Sequence, residues 1–342
     1  MSYLCWEESV DLRQYNTFNV CSIARYLVRI RGMEDLKKLH VSPRFHGLRN
    51  LVLGGGSNIL FATQDFDGVI LKNEIGGIEV LSQDDHSTVL RVGGGVEWTS
   101  LVKYCIENGL GGLENLSLIP GTVGAAPIQN IGAYGAELSD VILSLEIFNL
   151  STGEVTTMSR DECLFEYRDS IFKRELKNVF ITCVIIRVNK ERFHCLNTEY
   201  SSVQDILQEQ GVITPTIRSV SEAICILRRR KLPDPKIVGN AGSFFKNFVC
   251  DDFLSQSLVK RNPQIPIFPK PDRSFMIPAA WLIEGCGWKG KRVGEVGVFS
   301  NHALVLVNYG SRGGEIMSLA KLIVQDVQAQ YGIELTPEVN IA

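Results

Sequence analysis

The sequence lacks a long hydrophobic run, a strong excess of one charge and any cysteine pair with metal-ligand spacing. No stretch approaches the roughly 18 consecutive apolar residues of a membrane-spanning helix, so we expect no membrane span. The 35 Lys+Arg and 38 Asp+Glu leave a net charge of −3, which gives no reason to expect a nucleic-acid-binding protein. The nine cysteines include no CxxC pair and the five histidines are isolated, which argues against a metal site.

The N-terminal residues also lack the basic and apolar segments of a secretory signal. Unpaired cysteines without that signal are typical of a reducing compartment, where thiols serve as small buried apolar groups. We therefore predict a cytoplasmic protein.

Two features are present in the sequence: a long chain and local clusters of glycine. Its 342 residues suggest two or three domains at about 150 residues each. The 31 glycines include two clusters that we interpret as loops, residues 54–58, the first glycine loop, and residues 119–135, the second glycine loop. Each follows an apolar segment, and glycine lets a backbone approach a ligand and turn its amides toward an anion. Two tight turns in an ordinary barrel or sheet are the alternative interpretation.

Hydrophobic periodicity predicts both strands and helices. We expect a hairpin of strands 141–150 and 154–158, and an extended loop where five prolines fall between residues 263 and 278. Because the elements alternate without a regular βαβ period, we predict the α+β class. The other predicted strands are 51–53, 88–92 and 180–188, and the predicted helices contain residues 101–106, 220–230 and 316–327.

Three nucleotide-binding or catalytic templates fail. The first glycine loop has Ile59 where a dinucleotide-binding fingerprint needs its third glycine. Residues 285–292 match a P-loop except that Arg292 replaces the Ser/Thr that would hold magnesium, so we interpret the match as chance. No nucleophile elbow G-x-S-x-G occurs. The basic run at residues 228–231 is compatible with a solvated helix face.

Seven short strings, in order along nearly the whole chain, carry a family resemblance. Together they are similar to the UDP-N-acetylenolpyruvoylglucosamine reductases, flavoenzymes that complete UDP-N-acetylmuramate in peptidoglycan synthesis. The strings are residues 16–18 (NTF), 53–58 (LGGGSN), 120–137, 167–173 (YRDSIFK), 239–247 (GNAGSFFKN), 279–283 (AAWLI) and 337–339 (PEV).

The resemblance implies an α+β protein with a two-part FAD-binding unit of the vanillyl-alcohol-oxidase type and a smaller α+β substrate-binding domain. It implies noncovalent FAD, NADPH as co-substrate and UDP-N-acetylglucosamine enolpyruvate as substrate; we add the expectation of a monomer. We predict FAD-binding subdomains at residues 1–75 and 76–230, a substrate-binding domain at 231–331, and a C-terminal segment, 332–342, that returns to the active site.

Three residues match the catalytic positions of the family. Arg168 is a permanent cation that suits an enolate-like intermediate, although a salt bridge with Asp169 is the alternative. Ser243 matches the proton donor, and its alternative is a helix N-cap before Phe244. Glu338 matches the third position, where it donates a proton, orients a water or fixes Arg168; its alternative is a solvated carboxylate.

The resemblance also implies binding residues. Tyr200 places the chain in the longer branch of the family, in which a tyrosine loop closes over the substrate, and Phe248 replaces a common proline. The implied substrate-binding residues are Tyr167, Tyr200, Lys231, Asn247 and His302, and no metal is implied. The implied FAD-binding residues are Leu53, Gly54, Gly55, Gly56, Ser57, Asn58, Ile119, Pro120, Gly121, Gly124, Ala125, Ala126, Gln129, Asn130, Gly132 and Tyr134.

Two other functions compete with this interpretation. One is an FAD-linked oxidase of the same superfamily, but covalent flavin attachment commonly uses His or Cys, and neither glycine loop contains them. The other is a flavin-binding or nucleotide-binding module without turnover. The catalytic trio argues against it, because a pure binding protein has no need of those three residues.

Overall fold

The computed structural model describes residues 4–270 and 272–342. The first three residues of the N-terminus, where we sought a signal sequence, and Pro271 of the proline-rich segment lie outside the described residues. The helices of the described part are α1 (Met33–His40), α2 (Trp98–Glu107), α3 (Ile171–Arg174), α4 (Ser201–Glu209), α5 (Ile217–Lys231), α6 (Asp252–Arg261), α7 (Ala279–Gly285) and α8 (Gly313–Tyr331).

Most strands are short. The first ten are β1 (Glu7–Asp11), β2 (Ile23–Ile30), β3 (Arg49–Leu53), β4 (Ile59–Leu60), β5 (Asp65–Asn73), β6 (Ile78–Gln83), β7 (Ser87–Gly93), β8 (Leu110–Gly111), β9 (Gly132–Ala133) and β10 (Ala136–Glu137). The others are β11 (Ile142–Asn149), β12 (Val155–Ser159), β13 (Val179–Lys190), β14 (Phe248–Cys250), β15 (Phe268–Pro269), β16 (Phe275–Ile277), β17 (Arg292–Val293), β18 (Val296–Val298), β19 (Leu306–Asn308) and β20 (Asn340–Ile341).

The chain divides into two units. Unit 1 takes residues up to 10 together with 24–56 and 67–229, and unit 2 takes residues 11–23, 57–66 and 230–342. The first glycine loop is therefore shared, with Gly54, Gly55 and Gly56 in unit 1 and Ser57 and Asn58 in unit 2.

Unit 1 contains two sheets. One has the order β1-β2-β5-β3, with β3 and β5 parallel, and the other has the path β12-β11-β13-β7-β6, with β8 also paired to β13. Strand β13 is mostly apolar from Val179 to Ile186, and this part of the strand is buried on both faces. A core of α1 residues, strand residues of the first sheet, and Phe148 and Phe180 of the second sheet packs together. Helix α2 buries Leu101, Val102 and Cys105 in the other core.

Unit 2 is built from small sheets and three of the helices. Its sheets have the orders β14-β16-β15 and β17-β18-β19, and β20 pairs in parallel with β4. Helix α8 packs against β18, β19 and α7 through a stripe that includes Ile316, Leu319 and Ile323, all buried. The spacing of these residues places them on one face of the helix.

These elements confirm the predicted α+β class. The predicted hairpin forms as β11 and β12, which pair antiparallel, and the predicted helices appear as α2, α5 and α8. The proline-rich segment forms more than an extended loop, because β15 and β16 within it pair antiparallel. Helix α7 precedes the P-loop-like residues 285–292, so they do not follow a strand as a P-loop requires. No helix of the described part is long and apolar enough to cross a membrane.

Helix α8 ends at Gly332, which has a left-handed conformation (φ +72°) and donates its amide to the Gln328 carbonyl at 2.9 Å. An L residue with a Cβ is disfavoured in this conformation. We therefore expect Gly332→Ala to lower the free energy of unfolding by about 1 kcal/mol in urea titrations. Gly332→Asn is the matched control. Because asparagine tolerates this conformation, its free energy of unfolding should fall by less than that of the alanine variant. Equal stability of the alanine variant and the parent would contradict this account.

Candidate active site

The two glycine loops touch backbone to backbone. The first begins directly after buried Leu53 at the end of β3. A Cβ added to Gly55 would lie 2.8 Å from the Gly121 Cα, and one added to Gly54 would lie 2.4 Å from the Thr122 Oγ1. No real Cβ makes such contacts, so only glycine permits this approach. The glycines allow two segments of the protein's own backbone to touch. The sequence had predicted that they allow a ligand to approach the backbone.

Unused polar groups lie at this contact. The amides of Gly55 and Gly121 have no hydrogen-bond acceptor among the described residues. The hydroxyl of Thr122, a residue only 5% exposed, likewise has no partner in the part of the chain that the structure describes. Buried polar groups in native proteins are nearly always paired, and free amides are typical of anion sites. Sequence reasoning missed Thr122, although a hydroxyl between loop glycines was a usable signal.

Lys72 on β5 orients the first glycine loop. Its half-buried ammonium donates a hydrogen bond to the Gly54 carbonyl. Burial lowers the pKa of Lys72 below its ordinary value, partly offset by the nearby Glu74 carboxylate. The Gly54 carbonyl and the Gly55 amide belong to one trans peptide and point in opposite directions. Lys72 therefore fixes the direction of that amide; nothing in its sequence context predicted this.

The second glycine loop is anchored by its own backbone. Gly124 donates to the Gly94 carbonyl at 2.8 Å, and a Cβ there would lie 3.0 Å from the Gly94 Cα. Asn130 is buried in a left-handed conformation, and its side chain bonds to Glu137, Ser139 and the Glu166 carbonyl. These hydrogen bonds of the buried Asn130 side chain stabilise the conformation of the second glycine loop. Of the other implied FAD-binding residues in this loop, Ala126 is buried, Pro120 is exposed, and Ile119, Gly121, Ala125, Gln129, Gly132 and Tyr134 are half-buried.

Arg168 reaches the end of this loop. Its Nη2 donates to the Gly132 carbonyl at 2.5 Å, and its guanidinium carbon lies 5.2 Å from the centre of the Tyr167 ring. Asp169 instead pairs with Arg174, at 3.1 Å. The alternative interpretation, in which Arg168 is a salt-bridge residue beside Asp169, stays a prediction.

Arg228 is a second cation in this region. It donates from Nε to the Leu118 carbonyl at 3.3 Å and lies near Tyr134 and Arg168. Burial lowers the pKa of Arg228, and the charge of Arg168 adds to that effect. The solvated-face interpretation of the basic run fits exposed Arg229 but not Arg228. The helical repeat would have revealed this, since Arg228 lies four residues after buried Ile224.

In unit 2, the backbone brings Ser243 and Glu338 together. Ser243 forms a bridge with Val305, and the next residue, Phe244, accepts a hydrogen bond from the Glu338 amide at 2.7 Å. Because residues 243–245 are extended, the helix N-cap interpretation of Ser243 is wrong. The Ser243 hydroxyl makes no hydrogen bond with any described residue.

The end of the first glycine loop supports Glu338. The Asn58 side-chain amide donates to the Glu338 carbonyl at 3.4 Å, and the Asn58 carbonyl accepts from the Asn340 amide at 3.1 Å. Strand β20, which follows, pairs with β4 next to this loop. Asn58, predicted as an FAD-binding residue, therefore also holds the C-terminal segment.

Lys231 and His302 are electrostatic neighbours. Burial lowers the pKa of His302, and the positive charge of Lys231 lowers it further. The His302 Nδ1 accepts a hydrogen bond from the Leu304 amide at 3.2 Å, so the neutral ring carries its proton on Nε2. Lys231 is exposed at the end of α5 and has no partner among the described residues.

Asn247 and Phe248 are part of the local framework. The Asn247 Oδ1 accepts from the Ala279 amide at 3.1 Å, which caps the start of α7. Phe248 begins β14 and pairs with Ile277, so the residue in place of the common proline takes part in a sheet.

Comparison with known proteins agrees with this arrangement. Residues 24–159 match the family described as FAD binding domain. Residues 234–342 match the family described as UDP-N-acetylenolpyruvoylglucosamine reductase, C-terminal domain. A crystal structure of the reductase from Thermus caldophilus superposes with a TM-score of 0.67, covers 99% of both chains and is 23% identical, which shows a shared fold.

Curated relatives are closer in sequence. The chain is 45% identical over 337 residues to the UDP-N-acetylenolpyruvoylglucosamine reductase of Amoebophilus asiaticus, covering 98% of each chain. It is 46% identical over 332 residues to that of Burkholderia orbicola, covering 96% of this chain and 94% of the relative. For Pseudomonas aeruginosa the identity is 43% over 337 residues, or 98% of both. The cofactor is FAD, and the chain belongs to the UDP-N-acetylenolpyruvoylglucosamine reductase family.

Proposed function

We propose that this protein reduces UDP-N-acetylglucosamine enolpyruvate to UDP-N-acetylmuramate, with bound FAD as cofactor and NADPH as reductant. The observation that carries the proposal is that Ser243 and Glu338 lie on neighbouring extended segments, which the hydrogen bond from the Glu338 amide to the Phe244 carbonyl joins. A hydroxyl that no described residue occupies lies beside a carboxylate-bearing segment, as a proton transfer to substrate requires. Membership of the reductase family supports the same reaction.

The residues of the two glycine loops fit FAD. We propose that its pyrophosphate is held by the amides of Gly55 and Gly121 and by the Thr122 hydroxyl, which have no partner in the described part of the chain. Lys72, through the Gly54 carbonyl, keeps the Gly55 amide in position for that contact. The remaining predicted FAD-binding residues lie in these two loops or, for Leu53, directly before the first one, and are proposed to surround the rest of the cofactor. When bound, FAD supplies hydride transfer from NADPH to the enolpyruvyl group.

Arg168 is proposed to stabilise the charge that develops on the substrate. Hydride addition to the enolpyruvyl methylene carbon moves the double-bond electron pair onto the neighbouring carbon and its carboxylate. A guanidinium has five N–H donors and stays charged at working pH, so it suits this enolate-like species. The Gly132 carbonyl takes one Arg168 donor and fixes the direction of the side chain.

Ser243 is proposed to complete the reduction. Its hydroxyl proton goes to the carbon beside the carboxylate, where the electron pair forms a C–H bond, and solvent then restores the serine proton. Glu338 is proposed to serve the same step, either as a proton source or by orienting a water or Arg168.

Five further residues are proposed to bind the sugar nucleotide. Lys231 offers an ammonium to the diphosphate, and neutral His302 offers its Nε2–H to an uncharged acceptor. Asn247, Tyr167 and Tyr200 are proposed to complete the contacts. We further propose a monomeric, cytoplasmic enzyme organised in the domains predicted above, whose product supports wall growth, cell shape and division.

The first test concerns the loop contact. Gly55→Ala must push against the Gly121 backbone, and overpacking of this kind costs about 1–3 kcal/mol, or roughly 5- to 150-fold in the FAD dissociation constant. Titration of the apoprotein with FAD, followed by flavin fluorescence, measures the constant. Gly32→Ala is the matched control, because its added Cβ meets nothing within 4 Å. Unchanged FAD affinity in Gly55→Ala would locate the cofactor elsewhere.

The second test concerns Lys231. Loss of a charge-assisted hydrogen bond to the diphosphate costs about 1.5–3 kcal/mol, so Lys231→Ala should raise the KM for the sugar nucleotide roughly 10- to 150-fold. Removing this charge should also raise the pKa of His302, which an NMR titration follows. Arg229→Ala, an exposed neighbour in the same helix, should change neither quantity. Parental KM values in Lys231→Ala would leave Lys231 as an ordinary surface residue.

The third test separates the half-reactions at Ser243. Reduction of FAD by NADPH needs no acid at the substrate carbon, so Ser243→Ala should keep a near-normal rate in stopped-flow measurements. Reoxidation by the enolpyruvyl substrate should slow by about 10²–10⁴-fold, because the proton donor is missing. Ser243→Cys should recover part of the rate, and exposed Ser318→Ala on α8 is the matched control. Equal slowing of both half-reactions would assign Ser243 a structural role.

A further inference from the structure

The chemistry proposed above makes no use of residues 16–18, yet these residues form a turn inside unit 2. Asn16 is only 4% exposed, and its side chain bonds to both ends of the turn. It accepts the Val20 amide at 3.1 Å, and it donates to the Leu12 carbonyl at 2.8 Å and to the Val20 carbonyl at 2.9 Å. Asn16 therefore fixes the backbone of this turn from within.

Two carbonyls of the turn bond to a second segment of unit 2. The Thr17 carbonyl accepts the Asn240 amide at 2.9 Å. The Phe18 carbonyl accepts from the side chain of buried Asn308 at 2.7 Å, and the Asn308 amide donates to the Gly239 carbonyl at 2.8 Å. A Cβ added to Gly239 would overlap the Phe18 carbonyl, so the second segment lies directly on the turn.

The side chain of Asn240 extends this framework to the residue before Ser243. Asn240 is 3% exposed, and its Oδ1 accepts the Gly242 amide at 3.0 Å. Its Nδ2 donates to the Val238 carbonyl at 2.9 Å and to the Pro233 carbonyl at 3.1 Å. Both N–H donors of the side chain and its oxygen are thus bound to the backbone on either side of Asn240.

Gly242 has a left-handed backbone conformation (φ +69°). A Cβ added to it would meet no heavy atom of the described residues within 4 Å. The backbone conformation, and not crowding, therefore favours glycine at this position. Because Ser243 follows directly and forms a bridge with Val305, the conformation of Gly242 sets the direction in which the chain enters that bridge.

The backbone alone places the Ser243 hydroxyl, because that hydroxyl makes no hydrogen bond with any described residue. On the C-terminal side of Ser243, the Phe244 amide donates to the Leu304 carbonyl at 2.8 Å. On the N-terminal side, the Gly242 amide is held by Asn240. A change at Gly242 or Asn240 should therefore displace the hydroxyl.

We propose that Asn240 is a positioning residue, which places the Ser243 hydroxyl for proton transfer through the Gly242 amide. The turn at residues 16–18 supports Asn240 in this role. The inference rests on the proposed function, because it takes Ser243 as the proton donor. A donor must lie within hydrogen-bond reach of the atom that it protonates, and a displacement of about 1 Å costs up to about 100-fold in rate.

Stopped-flow measurement of both half-reactions in Gly242→Ala tests the proposal. Strain in the left-handed conformation should displace Ser243 and slow reoxidation by the enolpyruvyl substrate about 10- to 100-fold. FAD content and flavin reduction by NADPH should match the parent. Gly242→Asn should recover most of the rate, because asparagine tolerates this conformation. Equal slowing of both half-reactions in Gly242→Ala would overturn the positioning role.

Gly294→Ala is the matched control. Gly294 lies in the same unit between β17 and β18, also has a positive φ (+59°), and an added Cβ there meets no described atom within 4 Å. Both half-reactions of Gly294→Ala should run at parental rates. Reoxidation slowed as much in Gly294→Ala as in Gly242→Ala would show a general effect of backbone strain and overturn the proposal.

Asn240→Ala tests the side chain itself, and Gly242→Ala tests the same contact without opening a cavity at buried Asn240. Asn240→Ala should slow reoxidation about 10- to 100-fold and leave flavin reduction unchanged. If Asn240 acts through Ser243, the double variant with Ser243→Ala should reoxidise no more slowly than Ser243→Ala alone. Multiplied effects in the double variant would overturn the positioning role.

The parent protein separates the two proposals. A parent whose reduced flavin the sugar nucleotide does not reoxidise would overturn the proposed function, and the positioning role with it. A parent that turns over, while Asn240→Ala and Gly242→Ala reoxidise at the parental rate, would overturn the positioning role and leave the proposed function standing.

Discussion

The contact between the two glycine loops is the constraint on which the cofactor region of unit 1 depends. Gly55 and Gly121 approach so closely that any side chain would separate them, and their two amides and the Thr122 hydroxyl have no hydrogen-bond partner among the described residues. Lys72 then fixes the peptide between Gly54 and Gly55. A rigid turn with such polar groups suits a ligand that forms the missing hydrogen bonds. Binding then requires little reorganisation of the protein.

Backbone carbonyl groups position several polar side chains of unit 1. Arg168 is held by Gly132, Arg228 by Leu118, and Asn115 by Tyr134 and Asn197. A carbonyl acceptor orients a cation or amide without neutralising its charge. The Gly132 carbonyl orients the Arg168 guanidinium and leaves it positive.

In unit 2, short antiparallel bridges, and not long strands or helices, position the backbone around Ser243 and Glu338. Residues 243–245 lie between residues 304–305, directly before β19, and residues 337–338, and backbone hydrogen bonds hold them on both sides. Extended segments present alternate side chains to opposite faces. Buried Phe244 and Phe245 supply the packing that holds this alignment, while Ser243 stays half-buried.

The sequence alone determined the fold class, the main helices and strands, the family and the two glycine loops. Local periodicity, turn residues and motif strings carry that information within a few residues of each other. Buried Ile316 and Ile323 on α8 and the hairpin of β11 and β12 followed from such local signals.

Only the tertiary structure determined which atoms the side chains of the site contact. Arg168 donates to the Gly132 carbonyl, Asp169 pairs with Arg174, and Ser243 lies in an extended bridge and not at a helix start. The role of Lys72 depends on the Gly54 carbonyl, 18 positions away. Long-range pairs of this kind arise when sheets and loops pack together, and side-chain chemistry alone does not say which distant carbonyl a buried donor will meet.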